Sequence, residues 1–209
     1  MVGSSFVADA ATGLYAWINE AHQKLHGKLV DAMGEEYISK AQALTTIVGT
    51  SDYAVPSDFF KLYGVELNSG IYVVPLLPYM RAERDYYRNS NRATFRRSGW
   101  DLPHYALIGS NLRLYPIPQQ IFTGSILYAP EAVVLTAGTD AVNYPNGWER
   151  FIVLDAAIQA LAKEESSVTQ LVNEREEVVK EIELAKEQRD LANPKRVRDV
   201  TNRDSYEVW

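Results

Sequence analysis

Apolar side chains recur every three or four positions at Val7, Ala10, Ala11, Leu14, Trp17, Ile18, Ala21, Leu25 and Leu29, the spacing of one face of an α-helix. Ser4 or Ser5 can cap its start, and Gly27 can loosen its end. The same period returns at Trp148, Phe151, Ile152, Ile158, Leu161 and Ala162. Asn146 stands as N-cap before this run, with Glu149 three residues on as in a capping box. A polar break at Ser166 and Ser167 precedes a second amphipathic run, Val168, Leu171, Val172, Val178, Val179, Ile182 and Ala185. Asn193 and Pro194 stop it. A helix over residues 167–192 would be roughly 39 Å long.

Between these helical flanks the pattern changes. Eight of the nine prolines fall from Pro56 to Pro145, and proline disrupts helix interiors. Ten of the thirteen tyrosines lie between residues 41 and 145. Residues 71–74, 105–108, 111–115 and 124–128 read as strands, and Gly109-Ser110 between two of them predicts a hairpin. Residues 56–63 and 79–91 read as short helices.

The expected fold is α+β: a helical bundle made of the N-terminal helix and two C-terminal helices, with a β-rich insertion and an extended C-terminal arm. The boundaries are residues 1–40 for the first helix, 41–145 for the insertion with its short helices, 146–193 for the C-terminal helices and 194–209 for the arm. Trp17, Ile18, Trp148, Phe151 and Ile152 are expected in the core.

Composition narrows the chemistry. Of 209 residues, 46% are hydrophobic and 23% charged, enough to form a core. The absence of cysteine removes thiol catalysis and cysteine zinc sites and fits a reducing cytoplasm. No secretory signal and no apolar stretch of about 20 residues is present, so no membrane partner is expected. The net charge of −6 argues against gripping phosphate as the main task. No phosphate-binding loop, dinucleotide fingerprint or nucleophile elbow occurs. His22 and His26 have metal-ligand spacing, but Gln23 stands where a zinc-protease helix needs glutamate. They are expected to face solvent. No catalytic, cofactor or metal site is therefore assigned, and His104 has no serine partner in a motif.

Two charged features remain. Arg81, Arg84, Arg88 and Arg92 stripe one face of the helix expected there, interleaved with Tyr86 and Tyr87 and followed by Arg96 and Arg97. Arginine with aromatics typifies the centre of a protein interface, and the acidic chain favours that reading over DNA binding. Asp155 falls on the apolar face of its helix and should be buried against an arginine, with Arg84 and Arg88 as candidates.

Several segments together are similar to a known family. Val55-Pro56-Ser57-Asp58-Phe59 resembles the "LPSDF" segment of head-to-tail adaptors of tailed phages. Tyr105-Ala106-Leu107-Ile108-Gly109-Ser110-Asn111-Leu112-Arg113-Leu114, followed by Pro116, resembles their "YALVGNxLRLxP" hairpin. Tyr144-Pro145-Asn146-Gly147-Trp148-Glu149, leading into residues 152–157 and 163–166, completes the order, which spans about residues 57–200.

The resemblance implies a non-enzymatic ring subunit, commonly twelve-fold, located in the virion neck and made in the host cytoplasm. Its partners would be itself, the portal protein, tail or nozzle proteins and, transiently, the phage DNA. On this reading Arg81, Arg84, Arg88, Arg92, Tyr86 and Tyr87 meet a neighbouring subunit. Glu174, Glu177 and Glu181, on one face of the acidic last helix, line the DNA channel. Arg196, Arg198, Arg203, Tyr206 and Trp209 belong to an arm that docks on the portal. The alternatives are a tail-completion protein lower in the neck, or a DNA-binding accessory protein using residues 81–97.

Overall fold

The face of Ala21, His22, Leu25, His26, Leu29, Val30 and Met33 is buried along helix α1, Leu14–Met33. The helical period read from the sequence is thus real. Its two histidines lie inside rather than facing solvent, because their spacing puts them on the same stripe as Leu25 and Leu29. Gly13 occupies the N-cap, and Gly34, at φ 73°, ends the helix where a side chain would be strained. Gly27 lies within α1 instead of loosening its end. A computed structural model describes residues 13–34, 37–68, 72–80, 95–97, 100–142, 144, 147–164 and 167–189. Ser4, Ser5, Val7, Ala10 and Ala11 fall outside them.

Among the described residues nine strands follow: β1 Lys40–Thr45, β2 Asp52–Ala54, β3 Phe59–Asn68, β4 Val73–Pro75, β5 Phe95–Arg97, β6 Trp100–Leu102, β7 His104–Ile108, β8 Asn111–Tyr115 and β9 Thr123–Pro130. They form antiparallel sheets ordered β1-β9-β3-β4 and β2-β8-β7, with β5-β6 as a separate pair. The four- and three-stranded sheets share one apolar core. Leu44, Val65, Leu67, Val74, Ile126 and Tyr128 come from the first, and Tyr53, Leu112 and Leu114 from the second.

The expected β7–β8 hairpin is present. Ile108 pairs with Asn111 across the two-residue loop, and Gly109 takes φ 60°, which a two-residue turn requires. Residues 56–63 are corrected: Pro56 to Asp58 form a turn, and β3 starts at Phe59. Irregular pairing with β9 between Phe59 and Lys61, and again between Leu62 and Gly64, breaks the two-residue alternation. The resulting apolar spacing imitates a helix. Tyr79 and Met80 are not helical, and residues 81–91 of the expected second short helix lie outside the described residues.

The chain divides into two compact units, residues 1–141 and 142–209. Helix α1 belongs to the first, with the strands. Asn19 bonds Leu135 through both its amide atoms, and the His26 ring bonds the Pro130 carbonyl at 2.8 Å. The second unit contains the two expected C-terminal helices, α2 Arg150–Lys163 and α3 Thr169–Arg189. The grouping thus joins α1 to strands, whereas the bundle expectation set it with α2 and α3.

In the second unit Phe151, Ile152, Leu154, Val178 and Ile182 are buried. Each contributes about 1.5–3 kcal/mol. Trp17, Ile18 and Trp148 are half-buried, less than expected of core residues. The expected capping box is corrected: Glu149 is itself the N-cap of α2, without a side-chain cap bond, and its carboxylate accepts the Tyr144 amide at 3.0 Å. Asn146 lies outside the described residues.

Candidate assembly surfaces

The segment Val55-Pro56-Ser57-Asp58-Phe59 acts as a clasp on the first sheet. Its turn closes from the Phe59 amide to the Pro56 carbonyl. Asp58 accepts from Tyr128 of β9 at 2.8 Å and from Lys40 of β1 at 2.7 Å, and its carbonyl accepts the Glu131 amide. Phe59 stacks on Tyr128. The Lys40 hydrogen bond, then that of Tyr128, holds the Asp58 carboxyl below the usual carboxylate range. Burial and the same bond to Asp58 push the Tyr128 phenol up.

The hairpin segment is tied to β2 by a second pair. Asp52 and Arg113 are cross-strand partners, and the guanidinium donates to both carboxylate oxygens. That forked geometry is why arginine suits the position. It lowers the Asp52 carboxyl, chiefly through the Arg113 hydrogen bond. The polar residues of both family-like segments therefore organise the β unit.

In the second unit Asp155 is buried against an arginine, as its place on the apolar face predicts. Arg175 is a partner, at 2.7 Å, and Arg84 and Arg88 lie outside the described residues. Gln159 donates a further bond at 3.2 Å. Arg150 on α2 reaches Glu174 on α3 at 2.9 Å. These two pairs fasten α2 to α3. Of the acids expected to line a channel, Glu174 is half-buried and engaged with Arg150, whereas Glu177 and Glu181 are exposed. Arg81, Arg84, Arg88, Arg92, Tyr86 and Tyr87 lie outside the described residues, as do Arg196, Arg198, Arg203, Tyr206 and Trp209. Among the described residues no group of three or more His, Asp or Glu side chains is placed to hold a metal. No helix among them is long and apolar enough to cross a membrane.

A profile of the SU10 adaptor protein family matches residues 3–200. The chain belongs to this family. SU10 adaptors are a phage head-to-tail adaptor family, so this member is a structural component of a virion and associates with other head or tail components. Comparison with curated proteins gives no match.

The structure of this SU10 adaptor also exposes surfaces that hydrophobic periodicity did not single out. At one end of the β unit, Ile47, Val48 and Ile121 are more than half exposed, with Ile117 beside them. At another place an open groove of about 740 Å³ lies among Phe59, Phe60, Leu62, Tyr79, Tyr105 and Leu107. Burial, then the neighbouring Tyr115 phenol, pushes Tyr79 up to about 12. A run of loop residues without charge, at 46–51 and 116–122, was the available signal for the first surface.

Proposed function

We propose that this SU10-family adaptor is the repeating subunit of a ring in the phage neck, twelve copies to the ring, joining the portal to tail or nozzle proteins around the DNA path. The observation that carries the reading is the family match, which covers the chain almost end to end. The charge supports it. Twelve copies of a chain with net charge −6 carry −72, and an acidic surround lets DNA slide where a basic one would release counterions and hold it. Glu177 and Glu181, exposed on α3, are the acids proposed to face the channel. The 81–92 arginines with Tyr86 and Tyr87 are proposed to meet the neighbouring subunit.

Residues 194–209 are proposed to be the portal-binding arm. Tyr206 and Trp209 are aromatic anchors, and Arg196, Arg198 and Arg203 are cations for an acidic portal surface. Twelve arms engaged together would hold firmly even if each binds modestly. Deleting residues 202–209 tests this. The truncated chain should stay folded and lose attachment to isolated portal, as measured by co-sedimentation. Attachment equal to that of the full chain would remove the arm from the joint.

A further inference from the structure

We propose that the exposed apolar tip at one end of the β unit inserts into the apolar groove at the opposite end of a second copy, giving a directional contact between neighbouring subunits. The inference deepens the ring reading and rests on it.

The tip is built, not incidental. Loop residues 46–51 and 116–122 are locked together by the Thr46 amide on the Phe122 carbonyl at 2.8 Å and the Gly49 amide on the Pro118 carbonyl at 3.0 Å. The fully buried Thr46 hydroxyl accepts the Phe122 amide at 2.7 Å. The Tyr53 hydroxyl accepts the Ile47 amide at 3.0 Å and lies within hydrogen-bonding distance of the Thr50 carbonyl. These bonds fix the backbone while leaving Ile47, Val48, Ile117 and Ile121 outward. Neither loop segment contains a charged residue. Such a surface offers nothing to phosphate, and a contiguous apolar patch on a rigid support marks a protein contact.

The groove offers the matching chemistry. Phe60 and Leu107 are both more than 40% exposed at its walls. Among the described residues that line it the one cation, Lys61, pairs with Asp31 at 2.8 Å. An aliphatic side chain entering there meets apolar walls without stranding a charge.

Position supplies the direction. Strand β9 begins beside the tip, where Thr123 pairs with Thr45, and ends at the groove, where Pro130 pairs with Phe59. In the other sheet, β8 runs from the hairpin at the groove to the 116–122 loop at the tip. Eight strand residues separate the two surfaces by about 26 Å. Tip and groove therefore cannot meet within one copy. A surface that fits a different surface of an identical molecule makes a heterologous contact, which closes into a ring when the rotation allows.

The chain has no cysteine, so introduced thiols are the only ones present. Ile121→Cys and Leu107→Cys place one thiol at the tip and one at the groove wall, both at exposed positions. A short bismaleimide traps even transient contacts irreversibly. The full-length double variant should give a ladder of species larger than dimers. A mixture of the two single variants should give dimers, and each single variant alone should stay monomeric. Val48→Cys with Phe60→Cys should repeat the pattern, and Val153→Cys with Leu184→Cys sets the collisional background. Homodimers of the Ile121→Cys variant without tip-to-groove product, or no product above background, would overturn the contact. Loss of the ladder in favour of vesicle binding abolished by Ile121→Glu would overturn it too, naming a lipid surface as the occupant. A ring seen in the virion neck without the ladder refutes this contact alone, while a neck with no ring refutes the ring reading itself.

Discussion

The Asp155–Arg175 pair makes an asymmetric prediction. The aspartate side chain is 3% exposed and the arginine 30%. Arg175→Ala removes the cation from a carboxylate that has no route to water, and breaking a buried pair in that direction costs about 3–5 kcal/mol. Asp155→Ala leaves a guanidinium on a long stem that can turn outward. Its cost is the lost charge-assisted hydrogen bonding, about 1.5–3 kcal/mol. Replacing both partners by apolar residues, Asp155→Leu with Arg175→Met, should cost least, since well-packed hydrophobes often substitute for a buried pair without loss. Urea unfolding followed by far-UV circular dichroism reads this order. With m about 1–3 kcal/mol per molar, the Arg175→Ala midpoint should fall by about 1 M or more. A larger loss for Asp155→Ala than for Arg175→Ala, or the largest loss for the double variant, would refute the reasoning.

Three further outcomes are expected. A Cβ on Gly124 would stand 2.0 Å from the Glu66 carbonyl oxygen and 2.8 Å from the Leu67 Cα on the neighbouring strand. Gly124→Ala should therefore cost at least the 1–3 kcal/mol typical of overpacking, about 2–4 °C of Tm per kcal/mol; an unchanged calorimetric Tm would contradict the strand packing. Stability should fall on acidification in two stages. Burial, then the neighbouring His26, lowers His22, so its contribution is complete above about pH 6.5 and is lost as pH drops through the lowered folded value. Asp52 and Asp58 are lowered chiefly by hydrogen bonds from Arg113 and Lys40, and Asp140 by the Thr136 and Ala137 amides. Their contribution persists down to about pH 4 and is lost below it; urea midpoints across pH, with His22→Gln flattening the first stage, check both. Glu177→Lys with Glu181→Lys should raise DNA affinity in a salt-dependent manner in a gel-shift assay, and no change would remove α3 from the channel.

Legibility in the sequence followed the regularity of each element. The β7–β8 hairpin was readable because Gly109-Ser110 separates two short apolar runs, and α2 and α3 because their period is sustained and bounded. Strand β3 was misread because two irregularities shift its alternation. Strand β1 was overlooked because only Leu44 along it is buried, so no alternation exists to see. His22 and His26 were set outside on polarity alone, although their spacing shared the face of Leu25 and Leu29. Burial of Asp155 was legible from its position on α2. Its partner was not, because the α2–α3 pairing that brings Arg175 to it is a tertiary fact. The family-like segments were legible as an ordered set, while the clasp role of Asp58 needed Lys40 and Tyr128 placed beside it by the sheet.

The most direct measurement is cryo-electron microscopy of the virion neck, with the subunit located by its fold. The account predicts a twelve-fold ring of this chain between portal and tail, with α3 acids toward the DNA and residues 194–209 on the portal. A neck in which this chain is absent, or is present as single copies that do not touch the portal, would contradict it.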